Sequence, residues 1–373
     1  MTDRRVLSVL VVDDSAVVRQ AVTAVLSQDP GIVVTVAADP YIALSKMGRA
    51  RPDVILLDLE MPRMDGLTFL RKIMSEDPIP VVVCSGLATR GTEAAIRALE
   101  EGAVEVLAKP QLGVREFVHD SATTLIETIR AAAEARVERR APIVARIPRH
   151  TADAVLAPRP PLIPAPRSQA DVIVAIGAST GGTEALRALL QELPHDSPPL
   201  LIVQHMPERF TAAFARRLNE CANIEVKEAE TGDHVCRGRA LLAPGNRHLV
   251  VHRRDAHYVV EVRGGPPVCR HRPSVDVLFR SVAQTAGPSA VGVILTGMGD
   301  DGAAGLLEMK TAGAATLAQD ERTSVVFGMP GEAVRRGAAA EVLPLEQIGR
   351  AMLHAASLRR TWAAKTRPAL STP

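Results

Sequence analysis

The stretch VIVAIGASTGGTEAL, residues 172–186, decides the fold of the second half of the chain. It begins with a run of small and β-branched apolar residues, which is typical of a strand buried on both faces of a parallel sheet. The run ends in a glycine-rich turn, and a segment with a helical pattern follows it. Ser179 lies in that turn within a G-x-S-x-G pattern, so it is either a nucleophile exposed at a strand end or a polar residue of a phosphate-binding loop.

The composition of the whole chain is that of a globular protein with more than one domain. Its 373 residues exceed what a single core usually organises, and 47% are hydrophobic while 23% are charged. A net charge of +2 does not favour nucleic acid, and no apolar run reaches the roughly 18 residues that cross a bilayer. The cysteines Cys84, Cys221, Cys236 and Cys269 lack metal-site spacing and are expected to be reduced thiols. We therefore expect a cytoplasmic enzyme or regulator that neither binds nucleic acid nor inserts into a membrane.

The first third of the chain also alternates strands with helices. Amphipathic stretches separate five apolar runs, LSVLVVDD, IVVTVAAD, DVILLDLE, PVVVCSG and AVEVLAKP. These runs predict a small doubly wound α/β domain over residues 5–122. Residues 121–140 are expected to be helical, and seven prolines and four arginines in residues 141–170 indicate a semi-stiff linker. We assign the helix end and the linker to residues 123–168.

Charged and polar side chains follow four of these five strands. Asp13 and Asp14 end the first strand, Asp58 ends the third, Ser85 the fourth and Lys109 the fifth. The carboxyl ends of parallel strands share one edge of the sheet, where ligands bind. A single acid at a strand end is usually a solvated loop residue, but three converging carboxylates call for a hard cation such as Mg²⁺. A lysine and a hydroxyl beside them suit a phosphoryl group.

The motifs VLVVDDS, DVILLDLEMPRMDGL, VVVCSG and VLAKP resemble the receiver domain of two-component response regulators over about 115 residues. The resemblance implies a (βα)5 flavodoxin-like fold in which Asp58 accepts a phosphoryl group from a histidine kinase. It also implies that Asp13, Asp14 and Asp58 hold Mg²⁺ and that Ser85 and Lys109 respond to phosphorylation. Val106 replaces the switching aromatic residue found in many receivers, which rules out a switch by an aromatic rotamer at that position.

The strand–helix alternation resumes at Asp171 and predicts a second domain over residues 169–360. Eight strands are expected there, in DVIVAIGAS, PPLLIVQHM, GRALLAPGN, HLVVHRRD, HYVVEV, AVGVILTGM, AATLAQD and AEVLPL. We predict a larger doubly wound α/β fold with a mixed, mostly parallel sheet.

A nucleophilic serine needs a base and an acid that orients the base. His205 ends the strand that follows Ser179, 26 residues later, which fits one strand–helix–strand crossover. A third strand end, in VILTGMGDDGA, offers Asp300 and Asp301, and their spacing alone does not choose between them. The remaining histidines considered, His248, His252, His257 and His271, are interpreted as structural or exposed.

The glycines around Ser179 alone would also suit a phosphate. Neither the G-K-[ST] of a P-loop nor the G-x-G-x-x-G of a dinucleotide site is present at this turn. The second domain could therefore still be a non-catalytic module that binds a phospholigand or acts as an adaptor. A DNA-binding output is not expected, because no helix-turn-helix pattern or basic recognition segment follows the linker.

Seven further motifs in residues 171–355 resemble the catalytic domain of CheB-type chemotaxis methylesterases. They are AIGASTGGTEAL, VQHMP, LLAPGNRHL, RPSVDVLF, VILTGMGDDGA, AQD and VVFGMP. Together with the receiver motifs, they account for nearly the whole chain outside the linker.

This second resemblance implies a hydrolase with Ser179 as nucleophile, His205 as base and Asp301 as the orienting acid. Family members often read G-M-G-N-D-G at the last motif, which favours Asp301 over Asp300. Backbone amides near Thr180 and Met298 are the candidates for the oxyanion site. The implied substrates are glutamate methyl esters and glutamines of methyl-accepting chemoreceptors, a chemotaxis histidine kinase is the implied phosphodonor, and no cofactor is expected in the catalytic domain.

Overall fold

The computed structural model describes residues 6–61, 64–85, 89–109, 117–137, 172–254 and 257–366. The predicted linker over residues 141–170 lies outside the described residues. Two parallel sheets organise the described chain, and each has its own set of helices. None of the helices in these ranges combines the length and apolar character that a membrane crossing requires.

The N-terminal unit is a five-stranded parallel sheet with strand order β2-β1-β3-β4-β5, the flavodoxin-like arrangement. Its strands are β1 (Leu7–Val12), β2 (Ile32–Ala37), β3 (Val54–Leu57), β4 (Val81–Ser85) and β5 (Glu105–Ala108). Its helices are α1 (Ala16–Leu26), α2 (Pro40–Met47), α3 (Gly66–Glu76), α4 (Thr89–Glu100) and α5 (Phe117–Glu134). Alternate residues of β1 pack on opposite faces, with Val9 and Val11 in the cluster of α1 and α5 and Leu10 and Val12 in that of α2, α3 and α4. This confirms the fold predicted for the first domain.

The C-terminal unit is built on a seven-stranded sheet with strand order β14-β13-β12-β6-β7-β9-β8. Its strands are β6 (Ile173–Ala178), β7 (Leu200–Gln204), β8 (Glu225–Glu228), β9 (Arg239–Leu242), β12 (Ala290–Ile294), β13 (Ala315–Gln319) and β14 (Glu341–Leu343). The helices are α6 (Gly182–Gln191), α7 (Glu208–Cys221), α8 (Val275–Ala286), α9 (Ala303–Thr311), α10 (Met329–Arg335) and α11 (Leu345–Thr366). The predicted doubly wound α/β class is confirmed.

Two features of this sheet differ from the sequence-based expectation. Strands β10 (His248–Arg254) and β11 (His257–Arg263) pair antiparallel with each other as a separate hairpin, so the main sheet is parallel throughout instead of mixed. The edge strand β8 was not expected, because its sequence EVKE contains no apolar run. Charged residues are common on edge strands, where they discourage pairing with another chain.

Helices cover both faces of the seven-stranded sheet. On β6, Val174 and Ile176 join the core cluster that includes α6, α7 and α11. Ile173 and Ala175 point the other way, into the cluster of α8, α9, α10 and the hairpin. The central strand is therefore buried on both sides, which explains why its sequence is continuously apolar.

Strand β6 is where the winding of this sheet reverses. The chain moves from β6 to β7 on one side and later returns to β12 on the other side of β6. Loops at the carboxyl ends of strands diverge at such a switch point and leave a crevice that ligands occupy. The ends of β6, β7 and β12 therefore define the expected site.

The join between the two units differs in detail from the sequence-based expectation. Helix α5 begins at Phe117 and ends at Glu134, whereas a helix was expected over residues 121–140, and residues 135–137 are not helical. The helix runs through the predicted domain boundary at residues 122–123, and the boundary itself stays a prediction. Helix α4 packs against α6 and α7 of the C-terminal unit, where Leu99, Phe214 and Leu218 line a shared small cavity.

Replacement of Phe279 by alanine should strongly destabilise the C-terminal unit. The Phe279 side chain is fully buried under the sheet, so its removal should cost about 3–5 kcal/mol. Calorimetric unfolding of the full chain measures this loss. The exposed Val342→Ala variant is the control and should change stability by less than about 0.5 kcal/mol; equal shifts for the two variants would contradict this packing.

Candidate functional site

Ser179 follows β6 and is held by its two neighbouring strand ends. Its N–H donates to the Thr296 carbonyl, beyond β12, at 3.0 Å. The Gln204 side chain, at the end of β7, donates from Nε2 to the Ser179 carbonyl at 2.9 Å. Ser179 is 7% exposed, so only a small part of its surface is open to a ligand.

Glycines let the chain turn sharply and pack closely around Ser179. The Gly182 N–H donates to the Ser179 carbonyl at 2.6 Å, and α6 begins there. Gly181 has a φ of +78°, a conformation that residues with a side chain rarely adopt. A Cβ atom at Gly297 would lie 2.8 Å from the Ser179 Cβ, so the loop after β12 can touch the serine only with glycine at that position.

His205 lies beside Ser179 because the residues before them, Gln204 and Ala178, are register partners in β7 and β6. Its Nε2 atom is 2.8 Å from Asp301 Oδ2. A carboxylate accepts hydrogen bonds, so Nε2 carries the proton in the neutral ring and Nδ1 is the basic nitrogen. The Nδ1 atom is buried and has no hydrogen-bond partner among the described residues, so the bond from Ser179 to this nitrogen is not formed in this state.

Asp301 joins His205 to the N-terminus of α8. Its Oδ1 atom accepts hydrogen bonds from Ser274 Oγ at 2.8 Å and from the Asp276 N–H at 3.0 Å. Its Oδ2 atom accepts from the Val275 N–H at 2.7 Å as well as from His205. Burial alone would raise the pKa of Asp301, but these donors outweigh burial and hold the pKa below its ordinary value. The buried carboxylate is therefore charged.

The adjacent Asp300 has a different environment. Its side chain is 51% exposed and forms an ion pair of 3.1 Å with Arg336 Nη2. The spacing in the sequence does not choose between Asp300 and Asp301, but their positions in the structure do. Asp301 is the carboxylate in contact with His205.

His271 lies in the site, whereas the sequence analysis predicts a structural or exposed histidine at this position. Its ring stacks on the His205 ring, with 3.7 Å between centroids and 5° between planes. Burial and the neighbouring His205 lower the pKa of His271 to about 4. The only signal in the sequence was its position just before the RPSVDVLF motif. The earlier interpretation fits the other three, since His248 is buried and bonded while His252 and His257 are exposed.

The two oxyanion candidates, Thr180 and Met298, are adjacent in sequence to Ser179 and to Gly297, which packs against the serine. Thr180 follows Ser179 and is 5% exposed, and its carbonyl accepts a hydrogen bond of 2.9 Å from Thr296 Oγ1. Met298 is half-buried and follows Gly297, the residue packed against the serine. The role of their backbone amides as oxyanion donors stays a prediction.

The acidic residues of the N-terminal unit also converge. The carboxylates of Asp13, Asp14 and Asp58 have oxygens within 4.8 Å of one another. Lys109 Nζ lies 2.7 Å from Asp58 Oδ2 and 3.0 Å from Asp13 Oδ2. Burial raises the pKa of Asp58, with a further rise from Asp13, although Lys109 partly opposes both effects. Ser85 is buried at the end of β4, and its carbonyl accepts the Lys109 N–H at 2.9 Å.

A surface formed by α4, β5 and α5 of the N-terminal unit covers the edge of the C-terminal site. The Thr180 hydroxyl donates to the carboxylate of Glu105, the first residue of β5. Burial raises the pKa of Glu105 to about 7, although the Val106 N–H and the Thr180 hydroxyl oppose that rise.

Three further contacts join the two units. Glu100 of α4 pairs with Arg217 of α7 at 3.2 Å, and Glu127 of α5 pairs with Arg270. The Arg136 N–H, just after α5, donates to the Val325 carbonyl at 3.4 Å. A cavity of about 510 Å³ remains between the units next to Gly181.

Comparisons with known proteins cover both units. Residues 174–352 match the family model for CheB methylesterase, and residues 9–118 match that for the response regulator receiver domain. A protein-glutamate methylesterase/protein-glutamine glutaminase of Anaeromyxobacter dehalogenans is 61% identical over 356 residues, which cover 93% of this chain and 96% of that protein. One from Geobacter metallireducens is 55% identical and covers 93% and 98% of the two chains. The catalytic domain of a Thermotoga maritima CheB methylesterase is 37% identical over 49% of this chain and 97% of that chain, with a TM-score of 0.48.

Loss of the Asp301 carboxylate should destabilise the protein. It should also remove the hydrogen bond that orients His205. In Asp301→Ala, buried donors at the start of α8 lose their acceptor, which should cost about 1–3 kcal/mol. The pKa of Asp301 is lower in the folded protein, so its stabilisation is present above about pH 4 and is lost as the pH falls through the folded-state pKa. Thermal unfolding from pH 7 down to pH 3 measures both effects. Asp300→Ala should stay within about 0.5 kcal/mol at pH 7, and a similar loss in both variants would refute this role for Asp301.

Proposed function

Since this chain belongs to the CheB methylesterase family and carries a response regulator receiver domain ahead of the esterase domain, we propose that Ser179, His205 and Asp301 perform its hydrolysis of glutamate methyl esters on chemoreceptors. The chain is a hydrolase of the protein-glutamate methylesterase and protein-glutamine glutaminase type. The observation that carries the proposal is the convergence of a serine, a histidine and a charged aspartate at the switch point of the sheet.

His205 acts first as a general base in this proposal. Its Nδ1 atom takes the proton of Ser179 Oγ while the oxygen attacks the γ-carbonyl carbon of the methyl ester. The bond from Ser179 to Nδ1 forms when substrate is bound, since catalytic hydrogen bonds often tighten only in that complex. The backbone amides of Thr180 and Met298 then stabilise the oxyanion, where each donor is typically worth about 10²–10³ in rate.

His205 then acts as a general acid. It gives its proton to the departing methoxide, so methanol leaves and an acyl-serine remains at Ser179. Water attacks the acyl group with His205 again as base, which releases glutamate and restores the serine. Asp301 is already charged and stabilises the imidazolium formed in both halves of the reaction. Glutamine follows the same route with ammonia as the leaving group.

Asp58 is the proposed phosphoryl acceptor in the receiver domain. The carboxylates of Asp13, Asp14 and Asp58 fit Mg²⁺, because they bring hard oxygen ligands within 4.8 Å of one another. When bound there, the ion would offset the charges of these carboxylates and of an incoming phosphoryl group. Lys109 and Ser85 would then bind the phosphoryl oxygens, as the sequence predicts.

The partners follow from this assignment. Methyl-accepting chemoreceptors are the proposed substrate, and a chemotaxis histidine kinase is the proposed phosphodonor. The four cysteines are free, which accords with the cytoplasmic location that we propose for the reaction. The surface of α4, β5 and α5 restricts access to Ser179, and phosphorylation of Asp58 is proposed to loosen that cover.

Methanol release from methylated chemoreceptor tests the nucleophile and the switch together. Wild-type protein with Mg²⁺ and a small phosphodonor should release methanol faster than protein without donor. Ser179→Ala should lose at least about 10³-fold of the rate, because the acyl route is removed while substrate binding and the oxyanion donors remain. Asp58→Asn should keep the low rate and not respond to the donor.

Either of two results would contradict the proposal. Absence of release by wild type in both conditions would exclude the esterase function for this substrate and favour a phospholigand-binding or adaptor module. Donor stimulation that persists in Asp58→Asn would exclude Asp58 as the switch.

Inhibition by the receiver domain should weaken as the pH rises. The pKa of Glu105 is about 7 when the domains are packed and falls to its ordinary value near 4.5 when they separate, so packing takes up a proton. The charged groups that line the cavity beside this contact are Arg136, Glu184, Glu192, Arg322 and Glu346. The packing equilibrium constant should fall about tenfold between pH 6 and pH 8.

The measurement is the ratio of unphosphorylated to phosphorylated activity across this pH range, which cancels the pH dependence of the chemistry itself. The ratio should rise with pH in the wild type. In Glu105→Gln, which keeps the Thr180 contact without a charge, it should stay low and flat. Identical profiles for the two proteins would rule out Glu105 as the titrating group.

A further inference from the structure

His271 forms the closest ring contact of the proposed base. The two imidazoles are nearly parallel, with 5° between planes and 3.7 Å between centroids. The Nδ1 atom of His271 lies 2.7 Å from the Cys269 carbonyl, which can only accept, so Nδ1 carries the proton. With a pKa lowered to about 4 by burial and by His205, this ring is neutral near pH 7. His205 therefore has a flat, uncharged ring against one face.

A strained turn holds His271 in this position. Val268 and His271 exchange two backbone hydrogen bonds, of 3.0 Å and 2.9 Å, across a turn of two residues. Those two residues, Cys269 and Arg270, have φ values of 48° and 66°, a left-handed conformation that is costly for side chains other than glycine and asparagine. Strain of this kind persists where the surroundings impose it, and it concentrates at functional sites.

The same segment also holds the acid. Three residues after His271, Ser274 caps α8, and this helix start binds the Asp301 carboxylate through Ser274 Oγ and the Val275 N–H. The segment from His271 to Val275 therefore makes both contacts. His271 stacks on the face of the His205 ring, and the residues that bind Asp301 orient the edge of that ring that carries Nε2. A side chain that merely filled space would not need a turn with two residues in the left-handed conformation.

We propose that His271 is a positioning residue that keeps the His205 imidazole in one plane, with Nε2 on Asp301, throughout the reaction. The proposal rests on the proposed function of His205. The hydrogen bond to Asp301 fixes one edge of the ring but leaves rotation about that bond, and a second ring on its face removes this rotation. A neutral π face also tolerates the imidazolium that forms during the reaction, because the face of an aromatic ring attracts a cation.

A metal site is the other arrangement that these residues suggest. Ligand atoms of His205, His271 and Asp301 lie within 4.8 Å of one another. However, the lone pairs of two parallel stacked rings lie in separate parallel planes and therefore do not converge on one ion. The stacked geometry therefore favours positioning over metal binding.

The test compares His271→Ala and His271→Phe in the full chain, activated with phosphodonor and Mg²⁺. His252→Ala is the control, because His252 is exposed and pairs only with Glu261 among the described residues. Alanine should lower kcat for methanol release about 10–100-fold with KM within about twofold, since the loss affects orientation and not substrate binding. Phenylalanine keeps a flat neutral ring and should restore kcat to within about threefold of wild type. The control should match the wild type.

A second readout does not depend on substrate. In NMR spectra of the resting protein, the Nε2–H signal of His205 should be sharp and protected from exchange in wild type and His271→Phe. It should broaden or disappear in His271→Ala. If the alanine variant fails to fold, the phenylalanine variant still decides. A kcat for His271→Phe far below that of wild type would show that a flat neutral ring at position 271 does not position His205.

Three results would overturn the positioning role. They are full kcat in His271→Ala, a phenylalanine variant that folds but loses kcat, or inhibition of wild type by stoichiometric Zn²⁺ that His271→Ala abolishes. The last result would assign a metal site instead. If wild-type protein releases no methanol but its His205 signal still depends on the ring at position 271, the proposed function fails and the positioning role stands.

Discussion

The charged Asp301 carboxylate is the constraint on which the arrangement of the esterase site depends. A buried negative charge is tolerated only when hydrogen-bond donors surround it, and here the start of α8 and His205 provide them. The acid thus joins a helix that packs under the sheet to a histidine at the end of β7. The stability of the C-terminal unit and the orientation of the proposed base therefore rest on the same group.

Both sites in this chain follow one architectural rule. In the receiver domain, acids follow β1 and β3, the two strands that flank its switch point, and Lys109 reaches them from the end of β5. In the esterase domain, Ser179 and His205 follow β6 and β7, and the acid follows β12. Parallel sheets place distant parts of the chain at one edge, so each site is assembled from several strand ends and needs little local sequence.

This rule also explains how much could be predicted. Strand ends are local signals, and they predicted that Ser179 lies beside His205 and that the acidic residues of the receiver domain converge, without any knowledge of the packing. The choice between Asp301 and Asp300 needed the family motif or the position of α8, since both residues follow the same strand. His271 and Glu105 gave no such signal, because one enters from a turn beside α8 and the other from a different domain. Strand β8 was overlooked because an edge strand need not be apolar.

Strand β5 has a consequence for communication between the two sites. Its first residue, Glu105, touches Thr180 next to the serine, and Lys109, just beyond its last residue, touches Asp58. The two contacts are about 13 Å apart along one extended segment. Val106 lies between them and cannot relay a signal by swinging an aromatic ring, whereas the segment is braced by its backbone bonds to β4. One short extended segment therefore carries a contact of each site, so the two sites are joined through a single strand.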